Sequence, residues 1–165
     1  MVIPTFDPIK GGAEAVVKNL SIKLNRIGVD TDVMTFNMNR KWNPAWKGKI
    51  EKIDGFKVFK IPAFNWFPMV HSNRITLRIN LIPGRFQNRF KEYDIIHFHD
   101  GDDLSLPFFS RFIKKPKILH LHGFNLDFYS RYFLCRYILK NVANLYIPMS
   151  QLIAKELVQL GIPRY

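Results

Sequence analysis

Two short runs constrain this chain more than any other feature. Residues 94–99 are DIIHFH and residues 117–122 are KILHLH. A strand with one wet face alternates apolar with polar residues. A strand covered on both faces is apolar almost throughout, which is the pattern of parallel sheets packed between helices. The rest of the chain supplies the helices. Val16, Val17, Leu20, Leu24 and Ile27 recur at helical spacing and Gly28 can stop that helix. Met1–Phe6 and Asp32–Phe36 read as strands on either side of it.

Further along, residues 37–48 read as a loop. Asp54-Gly55 between KIEKI and FKVFKI marks a hairpin. Helical segments are expected over about Arg74–Glu92, Leu104–Ile113 and Leu126–Lys140. Asn144–Met149 is a last strand, followed by a helix capped at Ser150 and ended by Gly161 and Pro163. Alternating strands and helices predict a single α/β domain over residues 1–165. The expected architecture is Rossmann-like: doubly wound, with a mostly parallel sheet and helices on both faces. Ligands of such sheets bind at the carboxyl ends of the strands.

No run reaches the roughly 18 apolar residues of a membrane span. The opening MVIPTF lacks the basic start of a signal peptide, and Cys135 has no partner for an internal disulfide. A reducing, cytoplasmic setting is expected. Charge narrows the partners. Lys plus Arg number 25 against 13 Asp plus Glu, a net +12. Such a surface attracts nucleotide phosphates, anionic lipid or nucleic acid, or serves solubility alone. No nucleic-acid motif accompanies it, so nucleic acid is not expected as a partner.

Residues 4–14, PTFDPIKGGAE, place Gly11-Gly12 between the first strand and the first helix. Glycine lets a backbone approach a ligand closely, and a helix N-terminus offers unpaired N–H groups with partial positive charge. Lys10 adds a formal charge and Glu14 opposes it. The loop is either an N–H cradle for a phosphate or polar ligand, or a turn that needs glycine.

His97 and His99 lie two apart on one expected strand, and His120 and His122 on another, so each pair shares a face. Position along the strand separates them. His99, before Asp100, and His122, before Gly123, should rim the crevice, where an imidazole can donate a hydrogen bond or exchange a proton. His97 and His120 should lie deeper as hydrogen-bonded core histidines. A metal site built from the pairs is a minor alternative, and no metal is expected. Over residues 74–91, Ile75, Ile79, Ile82, Phe86 and Phe90 form an apolar stripe beside Arg74, Arg78, Arg85 and Arg89. That pattern fits a core-facing helix with snorkelling arginines or a helix lying on an anionic membrane.

PTFDPIKGGAE, then GVDTDVMT from Gly28, DGFKV from Asp54, DIIHFHD from Asp94, ILHLHG from Ile118, Ser150, and LGIP from Leu160 come in a familiar order and spacing. The whole chain resembles the N-terminal Rossmann-like domain of retaining, nucleotide-sugar-dependent glycosyltransferases of the GT-B fold, the group 1 or glycogen-synthase-like branch. The resemblance implies that Gly11 and Gly12, with Lys10 and Glu14 beside them, line the cleft against a donor diphosphate. It implies that His122, next to Gly123, faces the reacting sugar, and that His99 and Asp100 line the acceptor side.

The resemblance also implies no metal and no cofactor held by this domain, with a nucleotide sugar as donor of the complete enzyme. Acceptors would be glycans or lipid-linked molecules. Docking of the basic segment on the inner face of a membrane would make the protein peripheral there. The second, nucleotide-binding domain of such enzymes is not in these 165 residues, so a further domain or a partner subunit is expected to complete the cleft. The competing expectation is a stand-alone basic binding module, or a subunit without catalysis of its own, contacting anionic lipid or a partner chain.

Overall fold

The computed structural model describes residues 1–39, 45–62, 88–99, 113–123 and 126–162. All but Ile113 of the helix expected over Leu104–Ile113 lies outside them, as do most of the basic segment and Asp100. The described strands are β1 (Val33–Phe36), β2 (Lys49–Ile53), β3 (Phe56–Ile61), β4 (Ile96–His99), β5 (Lys117–Leu121) and β6 (Leu145–Pro148). The described α-helices are α1 (Gly12–Arg26), α2 (Leu126–Arg131), α3 (Phe133–Asn141) and α4 (Gln151–Gln159), with a 3₁₀ turn over Asn88–Glu92.

The strands form two sets, β1-β3-β2 and β4-β5-β6, and Val2 joins them. Val2 bridges Met34 on one side and Phe98 on the other, both in parallel. Its N–H donates to the His97 carbonyl at 2.8 Å, and its own carbonyl accepts from the His99 N–H at 2.8 Å. Met1–Phe6 is expected as a strand, and its backbone pairing runs from Met1 to Pro4, whose carbonyl accepts from the Phe36 N–H at 3.3 Å. Pro4 has no N–H to extend the ladder. Apart from the β2–β3 hairpin, every pairing among the described residues is parallel. The hairpin turns at Asp54 (φ 47°) and Gly55 (φ 94°), the left-handed pair that a two-residue turn requires.

Side chains alternate between two apolar layers. On one face Ile3, Val33 and Val58 pack with Val17 of α1. On the other, Phe98, Leu119, Leu121 and Tyr146 pack with Leu139 of α3 and with Ile153 and Leu157 of α4. Helices therefore cover both faces, as a doubly wound α/β domain requires. The single helix expected over Leu126–Lys140 is two, broken at Tyr132, whose backbone is extended (φ −105°, ψ 100°). Ser150 caps α4 as expected, its Oγ accepting from the Ile153 N–H at 3.2 Å. No described helix is long and apolar enough to cross a membrane.

Replacing Val2 by Pro should test the bridge. The change removes the donor to the His97 carbonyl and should cost about 1–3 kcal/mol of stability. Hydrogen exchange at the His99 amide should accelerate. An unchanged denaturation midpoint and unchanged exchange at that amide would contradict the bridging role.

Candidate functional site

The parallel register of β4 and β5 sets His99 opposite His120. Side chains two apart share a face, so His97, His99, His120 and His122 all stand on the face that α1 covers at its other end. The rings touch. His97 and His99 have centroids 4.1 Å apart, His99 and His120 5.0 Å, His120 and His122 4.6 Å, and His99 and His122 5.3 Å. His99 Nδ1 and His122 Nε2 form a hydrogen bond of 3.1 Å. His120 Nε2 lies 2.9 Å from the Met149 sulfur.

The expected division by depth is corrected here. His99 does not rim the crevice: it is 1% exposed, because the Val2 bridge seals the side of β4 away from β5. His97 and His120 are only half-buried, and they are not satisfied core histidines. His97 Nε2, His99 Nε2 and His120 Nδ1 are buried without a hydrogen-bond partner among the described residues. His122, just past the end of β5, is half-buried like Gly123 beside it, and Nδ1 is its nitrogen left for a ligand.

Burial and the neighbouring imidazoles keep the cluster neutral. Burial, then His120, pushes His97 down from 6.5 to about 4. Burial and His97 hold His99 far below the ordinary imidazole value. Burial, with a smaller contribution from His122, lowers His120. Burial also lowers His122, and the Glu14 carboxylate opposes it. That last effect locates the start of α1 in the electrostatic neighbourhood of His122.

Glu14 sits in the first turn of α1, and its carboxylate turns back over the loop. Thr5 Oγ1 donates to Glu14 Oε1 at 2.5 Å. A Cβ placed on Gly11 would stand 2.5 Å from Glu14 Oε2, so Gly11 leaves room for that carboxylate. Lys10, Gly11 and Gly12 are exposed. Gly11 is the N-cap of α1 and provides no side-chain cap. The helix N-terminus thus faces solvent with its own acid beside it, a setting suited to a hydroxyl-bearing ligand as well as a phosphate.

Arg74, Arg78 and Arg85 lie outside the described residues. Arg89 stacks over the Phe59 ring at 4.6 Å and pairs with Glu92 at 3.5 Å. Its neighbour Phe90 is 2% exposed. At this end, the segment packs on the core with a snorkelling arginine. Sequence reasoning missed Thr5 and Met149. The first needed the fold-back of Glu14, and the second needed β6 placed beside β5.

The sequence matches Glycosyltransferase Family 4 over residues 10–164, from Lys10 through all four clustered histidines and α4. The chain belongs to that family. Among curated proteins, none matches it. Membership assigns the chain a glycosyltransferase role, with sugar donor and acceptor as its substrates. The geometry above then lies where this fold binds ligands, at the carboxyl ends of parallel strands.

Neutral buried imidazoles make stability depend on pH. Between pH 6.5 and about 4 the unfolded chain takes up protons that folded His97 does not. Stability is therefore fully present above 6.5 and falls as pH drops through that window. Urea midpoints should fall from pH 7.5 to pH 5, and His97→Gln should flatten the dependence. A midpoint independent of pH across this range would contradict the burial of these rings.

Proposed function

We propose that this chain is the acceptor-side half of a glycosyltransferase that moves a sugar from a nucleotide-sugar donor to a hydroxyl acceptor with retention of configuration. The products best suited to it are glycolipids, polysaccharides or other cell-envelope glycans. The reading rests on the electrostatic proximity of Glu14, in the first turn of α1, to His122 beside the carboxyl end of β5. Family membership over residues 10–164 supports it.

In this reading His122 donates from Nδ1 to the sugar or the attacking hydroxyl, while His99 fixes its ring through Nε2. His122 is not a nucleophile. The amides at Gly11 and Gly12 line the donor diphosphate, with Lys10 adding charge, and developing negative charge is stabilised by such pre-aimed donors. Glu14 accepts from substrate hydroxyls. Asp100 and Gly123 flank the acceptor side. A nucleotide-binding domain, on the same or a second polypeptide, completes the cleft. The net charge of +12 suits phosphate-bearing donors and lipid-linked acceptors, which would hold the protein at an anionic cytoplasmic membrane surface.

Two measurements test the reading. The isolated 165-residue chain should transfer no sugar from UDP-glucose, UDP-N-acetylglucosamine or GDP-mannose, because in this reading the donor is held by the nucleotide-binding domain. In extracts of the native cells, which supply any partner, His122→Ala at the chromosomal copy should lower glycan transfer about 10²–10³-fold, the usual cost of removing one well-aimed donor. Unaltered transfer by a folded His122→Ala protein would refute the proposal.

A further inference from the structure

The imidazole cluster offers more than a hydrogen-bond donor for sugar transfer. One ring nitrogen from each of His97, His99 and His120 lies within 4.8 Å of the others. These three residues also own the buried ring nitrogens without partners, His97 Nε2, His99 Nε2 and His120 Nδ1. A buried polar atom without a partner costs stability and calls for a physical reason.

Their remaining nitrogens set the tautomers. A thioether only accepts, so His120 Nε2 carries the proton directed at Met149 and Nδ1 keeps its lone pair. His99 Nδ1 donating to His122 Nε2 likewise leaves a lone pair on His99 Nε2. Lone pairs on neutral, buried imidazoles, two of them (His99 and His120) oriented by a bond at the other nitrogen, suit a transition-metal ion.

We propose that His97, His99 and His120 bind one divalent first-row metal ion, zinc foremost, through these three unpartnered nitrogens. Zinc–nitrogen bonds of about 2.0–2.1 Å in a tetrahedron need ligand atoms about 3.3 Å apart. Binding would therefore require the half-buried His97 and His120 rings to rotate toward His99. No carboxylate lies among the three ligands, so the ion keeps its charge, and the fourth position is open to water or an anion. His122 is then a positioning residue for the site, holding His99 by the outer nitrogen. This site is not needed for the glycosyltransferase reading and stands or falls without it.

The test is zinc titration of the EDTA-treated, dialysed chain, followed by calorimetry and thermal melting. One equivalent of Zn²⁺ should bind and raise the melting temperature. His97→Gln and His99→Gln should each weaken binding at least 100-fold, and His122→Gln about 10–100-fold, the usual cost of losing an outer-shell partner. Two readouts on the unmodified protein avoid any dependence on variant folding. Co²⁺ should give the visible absorption of a tetrahedral site and be displaced by Zn²⁺. Zinc should also shift the ring nitrogen resonances of His97, His99 and His120. No binding, octahedral Co²⁺, or zinc that leaves those three rings unshifted would overturn the proposal.

Discussion

Parallel pairing of β4 with β5 in the register that sets His99 against His120 is the constraint on which the imidazole cluster depends. A shift by one residue would send every side chain to the opposite face. Phe98, Leu119 and Leu121 would then leave the apolar layer they share with α3 and α4, and the imidazoles would enter it. Burial of those three side chains, each at 2% exposure or less, is worth roughly 1.5–3 kcal/mol apiece. The hydrophobic layer on one face therefore holds the polar cluster in place on the other.

Val2 extends the same logic sideways. Its bridge to Met34 and Phe98 ties the half-sheet carrying the histidines to the half-sheet against which α1 packs. Chain continuity from this bridge through the glycine loop then delivers the start of α1 to the same edge of the sheet as His122. Glu14, held by Thr5, is what the helix presents there. This edge of the sheet thus sets an imidazole near an acid and an exposed helix start, inside a protein whose net charge is strongly positive. Under the proposed function, that combination would meet hydroxyls and phosphates together.

Much of this was legible in the residues. Near-continuous apolar runs gave the parallel strands, Asp54-Gly55 gave the hairpin, and Ser150 gave the α4 cap. Each depends on local chemistry that survives in any context. The depth of the histidines was not legible, because position along a strand does not report what lies beside it. His99 is buried by Val2, nearly a hundred positions away in sequence. His120 points at Met149, which only the β5–β6 pairing brings near. The break at Tyr132 was equally hidden: residues 126–140 have continuous helical periodicity, and no proline or glycine marks the interruption.

The account is tested most directly by proton and nitrogen NMR of the histidine rings in metal-free protein at pH 6. It predicts neutral rings for His97 and His99, a proton on His120 Nε2, and nuclear Overhauser contacts from His99 to both His120 and His122, whose ring centres lie 5.0 and 5.3 Å away. Rings that titrate independently near the free-imidazole value, with no contact between those pairs, would contradict it.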